Sequence, residues 1–180
     1  FARFRFVRAV AANLGYTGDA PDGEVEDYRV KVGKNCGIKW LQRPDLSRTG
    51  IDIRVDGLRT IADDFLCTET AHITDVHLWG SKRKDAPLGE PPAIKVVHLS
   101  IHSDDPVGPE GPDPENEYSK PADLLWRGEF GPDDFTLKHV ATIEGGEWWW
   151  DVREEDPIPA GDTEVWRVDI LIPRDRAFLQ

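Results

Sequence analysis

The chemistry this sequence offers is carried by histidines, by paired carboxylates and by a run of three indoles. His98 and His102 share one face of the alternating stretch Val97-His98-Leu99-Ser100-Ile101-His102-Ser103, because successive strand side chains point to opposite sides. At about 3.3 Å per residue the two imidazoles stand roughly 13 Å apart, too far to share an ion. His77 shares a face with Asp75 and Trp79 in the preceding alternating stretch. A hairpin register that set His77 against His98 or His102 would bring two imidazoles to roughly 5 Å at Cβ. A third ligand from His72, Asp63 or Asp64 would then complete a zinc or copper site. The competing reading is that an outward strand face simply tolerates histidine, and no H-x-H or H-E-x-x-H spacing argues against it. His139, beside an acidic turn, reads as a surface residue.

The carboxylates offer a second chemistry. Asp63-Asp64, Asp104-Asp105, Asp133-Asp134 and Glu154-Glu155-Asp156 fall at turns, where hard oxygen ligands suit calcium. No D-x-D-x-D-G loop is present, and a chain of net charge −12 places acidic residues side by side by chance. Acid and base work in glycoside cleavage would need two carboxylates roughly 5–9 Å apart across a groove, which spacing along the chain does not fix. The third feature is Trp148-Trp149-Trp150. On a strand, Trp148 and Trp150 share one face and Trp149 takes the other, so an indole is left to stack on a sugar ring while Glu147 and Asp151 bond its hydroxyls. Packing of the same indoles in the core is the alternative. Nucleophilic catalysis finds no G-x-S-x-G elbow, and Gly145-Gly146 reads as a turn rather than a phosphate cradle, which needs a following helix.

Strands must position these groups, because period 2 dominates the chain. Residues 4–8, 52–56, 74–79, 93–102, 124–130 and 164–172 alternate as strands do, and turn-rich segments separate them. Only residues 7–14 and 133–139 could carry a helical turn. The five prolines between positions 106 and 121 exclude that stretch from a central strand and predict a long exposed loop. The fold expected is all-β, an antiparallel β-sandwich of jelly-roll type. With 22 Lys+Arg against 34 Asp+Glu, the surface lacks the clustered cations that phosphate neutralisation requires, which excludes nucleic acid as a partner. No apolar run reaches the roughly 18 residues of a spanning helix, so no membrane insertion is expected and the molecule reads as soluble. The absence of Met and the opening Phe1-Ala2-Arg3-Phe4, inside a strand-like run, lead us to expect a processed or cut piece of a longer protein. Cys36 and Cys67 could close a disulfide loop or lie free as small buried hydrophobes.

A boundary falls near Gly33-Lys34-Asn35. The expected organisation is a remnant hairpin of a preceding surface domain over residues 1–33 and a β-sandwich over 34–180. Upstream, Ala20-Pro21-Asp22-Gly23-Glu24-Val25-Glu26-Asp27-Tyr28 resembles the C-terminal end of the GEVEDY domain, a module of large bacterial cell-surface and secreted proteins. Downstream, Ile61-Ala62-Asp63-Asp64-Phe65, Ile73-Thr74-Asp75-Val76-His77-Leu78-Trp79-Gly80-Ser81, Val97-His98-Leu99-Ser100-Ile101-His102-Ser103 and Glu147-Trp148-Trp149-Trp150-Asp151 resemble an uncharacterised domain of secreted planctomycete-type proteins, over about residues 36–180. The resemblance implies an extracellular or cell-surface setting and no established activity. The function expected is a non-catalytic module of a larger protein that binds polysaccharide or cell-surface matrix, with calcium at the acidic turns. Two alternatives stand beside it: a secreted metalloenzyme with a His-based copper or zinc site, and an architectural subunit that self-assembles through an exposed strand edge.

Overall fold

The computed structural model describes residues 30–31, 38–55, 60–63, 65, 70–85, 89–106, 119–151, 153–154 and 156–180. The expected strand at 4–8, the helical turn at 7–14, the GEVEDY-like string, both cysteines, Asp64 and residues 107–118 lie outside these. Eight strands are described: β1 (Val30–Lys31), β2 (Ile38–Trp40), β3 (Ile51–Ile53), β4 (Asp75–Ser81), β5 (Val97–Asp105), β6 (Lys120–Phe130), β7 (Phe135–Trp150) and β8 (Ile158–Leu171). Six of them form one sheet in the order β2-β1-β4-β8-β7-β3, and β5 pairs with β6 in a second, two-stranded sheet. All pairings are antiparallel except β3 with β7, which runs parallel with Ile51 opposite Trp148 and Asp52 opposite Trp149.

Alternation explains why the sheets meet face to face. In β4, Val76 and Leu78 are buried while His77 and Trp79 are less so, and in β5 Val97, Leu99 and Ile101 take the inner face. These five join Val168 and Ile170 of β8 and Phe130 of β6 in a single apolar cluster, so the core lies between the two sheets. Each such side chain contributes roughly 1.5–3 kcal/mol by leaving water. The molecule is thus an all-β protein of sandwich type.

The structure corrects several local expectations. Residues 133–139 are not helical: Asp134 accepts a hydrogen bond from Gly131 N at 2.8 Å and closes a turn, and β7 begins at Phe135. Phe135 and Leu137, packed against the core, alternate with exposed Thr136 and Lys138, which is strand periodicity. Gly145-Gly146 is not a turn between elements but a bulge inside β7. Pairing with β8 jumps from Thr142–Glu164 to Glu147–Asp162, so residues 143–146 are extruded. The Pro-rich stretch is also narrower than expected, because Asp104 pairs with Pro121 and Asp105 with Lys120. Pro121 is tolerated there because, among the described residues, β6 pairs only with β5 and its other edge has no ladder to complete.

On the face of the large sheet turned away from β5 and β6, charge ties three strands together. Asp169 on β8 receives Arg167 Nε at 2.6 Å and Nη2 at 2.9 Å, Lys138 Nζ of β7 at 3.0 Å and His77 Nδ1 of β4 at 2.6 Å. Burial draws the Asp169 pKa upward, but the bonds from Arg167, Lys138 and His77 outweigh it and hold the value at about 2. A folded-state value below the ordinary 3.8 contributes stability that is present above that pH and disappears as the pH falls toward about 2. Asp169→Asn should therefore cost on the order of 2 kcal/mol near neutral pH and almost nothing near pH 2, read as urea midpoints along a pH series. A cost independent of pH would contradict this account.

Candidate functional site

The bulge in β7 builds the most unusual place in the molecule. Gly145 and Gly146 adopt φ of 84° and 75°, values that L side chains rarely reach, and a Cβ on Gly146 would lie 2.7 Å from Asp162 O. The chain leaves this bulge with Glu147 turned inward and opposite Asp162 of β8. Parallel pairing puts Asp52 of β3 level with Trp149, on the same face as Glu147. One carboxylate oxygen from each of Asp52, Glu147 and Asp162 lies within 4.8 Å of the other two. Gly50 makes room for this approach, because a Cβ there would stand 2.8 Å from Glu147 Oε1. A cavity of about 20 Å³, enough for about one water molecule, adjoins the group and is bordered by Asp52, Glu147, Asp45 and Trp79.

Electrostatics sets this cluster apart from the buried carboxylates of Asp151, Asp85 and Glu164. Asp151 is held by Arg54 at 2.8 Å and Arg153 at 2.7 Å. Asp85, in a tight turn with positive φ, accepts bonds from Thr163 N, Thr163 Oγ1 and Glu164 N. Glu164 pairs with His139 and accepts Thr142 Oγ1 at 3.1 Å. Asp162 is only 2% exposed, yet neither of its carboxylate oxygens has a hydrogen-bond partner, and Asp52 Oδ2 and Ser81 Oγ beside it have none either. Burial and then the charge of Asp52 push the Asp162 pKa up to about 8, and Asp85 adds to this. Burial also raises the Asp52 pKa, with Asp85 adding to it and Ser81 opposing it. Ser81 is near enough to temper both carboxylates without closing a hydrogen bond of normal geometry. Chemically, this is a set of hard oxygen donors with excess negative charge, suited to a cation or a shared proton.

The residues singled out from sequence are distributed otherwise. His77 sits against Asp169 in the large sheet, whereas His98 lies 3.7 Å from Glu129 across the β5–β6 pair. His102 is buried, and its ring bonds Ala122 O and Ser100 Oγ. The hairpin that would have set His77 against His98 or His102 does not form, because β4 pairs with β1 and β8. His72 bonds Ala177 O, and Asp63 is buried. Of the other acidic pairs, Asp104 lies within β5, not at a turn, and accepts Ser119 Oγ, whereas Asp134 caps its own turn. In the triplet, Trp149 is 6% exposed with the Arg83 guanidinium 4.0 Å over its ring, and Trp150 donates Nε1–H to Glu154 O. Trp148 is 38% exposed. Glu147 and Asp151 are buried, so neither flanks that indole in solvent. His139, expected at the surface, is exposed and also rests edge-on against Trp166 at 5.2 Å. Sequence reasoning missed Asp52 and Asp162. The signal within reach was parity alone: Glu147 shares a face with Trp149, not with Trp148.

These observations define a class: an all-β sandwich with a buried acidic cluster where three strands converge. Residues 38–180 match the family described as a domain of unknown function, DUF7901, and the chain belongs to that family. Neither the curated proteins nor the solved structures yield a match.

Because the folded-state pKa of Asp162 lies above its ordinary 3.8, the cost of burying it is absent below that pH, grows as pH rises and is complete above about 8. With divalent ions chelated, the denaturation midpoint should fall between about pH 5 and pH 8, and Asp162→Asn should flatten that fall. An equally steep decline in the variant would remove Asp162 as its source.

Proposed function

We propose that this domain is a non-catalytic recognition module of a larger extracellular or cell-surface protein, and that its ligand is a polysaccharide or surface matrix. The observation that carries the reading is an open groove of about 620 Å³ between residues 46–48 and the β7 bulge, lined by Leu46, Ser47, Arg48, Thr142, Glu144 and Gly145. Trp148 follows three residues beyond it on the same strand. A shallow groove offering hydroxyl, guanidinium and carboxylate groups, close along the chain to an exposed indole, matches what a sugar surface presents: hydroxyls to bond and a flat apolar ring face to stack. The upstream resemblance to the end of a GEVEDY domain supports the surface setting, and the planctomycete-type resemblance of residues 36–180 supports a secreted one.

A second reading, self-assembly through a strand edge, is favoured by β6. Among the described residues it pairs on one side only, and its Leu124 and Leu125 are both exposed. Particle size by light scattering over a concentration series tests it, with concentration-independent monomers as the outcome that removes it.

In affinity electrophoresis across a polysaccharide panel, the wild-type chain should be retarded by at least one polymer. Trp148→Ala should weaken that retardation roughly tenfold, as the loss of one stacking contact predicts. Absence of retardation throughout the panel, or an unchanged Trp148→Ala, ends the saccharide reading.

A further inference from the structure

We infer that Asp52, Glu147 and Asp162 together bind a single calcium ion at the junction of β3, β7 and β8. The first support is what the fold does with four other buried acids. Asp85, Asp151, Glu164 and Asp169 are each matched by N–H, hydroxyl or cationic donors from this chain. Asp162, although 2% exposed, has both oxygens unmatched, and Ser81 Oγ and Asp52 Oδ2 beside it are unmatched too. A buried anion without donors is among the most costly features a fold can keep, so a missing positive partner is the simplest physical account. A proton shared between Asp52 and Asp162 is the rival. Such a proton would join one oxygen of each carboxylate and leave the cluster indifferent to added calcium.

Geometry and donor type then choose the ion. Oxygens that bind one calcium at about 2.3–2.6 Å must lie within about 5 Å of each other, and the three carboxylates meet this at 4.8 Å. An all-oxygen donor set favours hard cations over zinc or copper, which prefer nitrogen and sulfur. The adjoining 20 Å³ cavity has room for about one water. Magnesium retains several waters and demands octahedral geometry, whereas calcium accepts irregular protein cages. Ser81 Oγ and a bidentate carboxylate can raise the ligand number toward the six or more that calcium takes. The donors come from three strands brought together by pairing between positions distant in sequence, so the ion would bind the folded chain and not the unfolded one.

The test uses the full chain, stripped with chelator and titrated with calcium chloride or magnesium chloride by calorimetry and thermal unfolding. Calcium should bind with one-to-one stoichiometry and a Kd at or below about 10⁻³ M, with magnesium at least roughly tenfold weaker. At a hundred times Kd the unfolding midpoint should rise by roughly 5–10 °C. Asp162→Asn should retain the strand signature in circular dichroism, unfold no earlier than the stripped wild type and lose the calcium response. If that variant folds poorly, Glu147→Gln is read the same way. The inference is overturned if the wild type shows neither heat nor a shift with calcium, if magnesium binds as tightly, or if the folded variant responds as the wild type does. A shared proton would show itself as the first of these outcomes.

Discussion

A carboxylate removed from water must be given donors or a countercharge, and in this molecule that requirement falls most heavily on β8. Strands flank it on both sides, and it presents Asp162, Glu164 and Asp169 to them. The outcome at each depends on what the neighbouring strands supply. At Asp169, β4 and β7 bring His77 and Lys138 to add to Arg167, and the site becomes a clamp across three strands. At Glu164, His139 and Thr142 arrive from β7. At Asp162 the neighbours bring further acids, Glu147 from β7 and Asp52 from β3. One rule therefore yields two rigid cross-links and one charged hollow along a single strand.

Alternation in the sequence was enough for the core and insufficient for the pairing. Val76 and Leu78, and Val97, Leu99 and Ile101, fall on the inner face as period 2 requires. The first half of β7 was harder to read, because Phe135-Thr136-Leu137-Lys138 is short enough to suit either periodicity and the glycine pair farther along resembles a chain reversal. A bulge and a turn draw on the same residue, glycine at positive φ, so composition does not separate them. The cluster itself depends on the partnership of β3 with β7 and of β7 with β8, which no local pattern encodes. The histidine site was inferred on the assumption that neighbours in sequence are neighbours in the sheet. The chain instead sends β4 to β8 and β5 to β6, separating His77 from His98 and His102.

The tryptophan triplet shows how one strand divides its labour. Trp149 turns inward beneath the guanidinium of Arg83, and Trp150 is anchored through its indole N–H to Glu154 O. These two fix the end of β7 at the edge where β3 lies alongside. Trp148, between Glu147 and Trp149 in sequence, is held by its backbone N–H to Gly50 O and points its ring the other way. The same three-residue span thus supplies both two anchored indoles and one at the surface, and backbone pairing ties each to the other.

The parallel contact of β3 with β7 joins positions separated by about a hundred residues, whereas β7 and β8 meet across a short connection. Loop-closure entropy delays distant pairings relative to local ones, so the order of assembly follows from topology: hairpin first, edge strand last. During synthesis Asp52 emerges before Glu147 and Asp162 and must wait for them to follow. The acidic hollow is consequently completed only after β8 has been made.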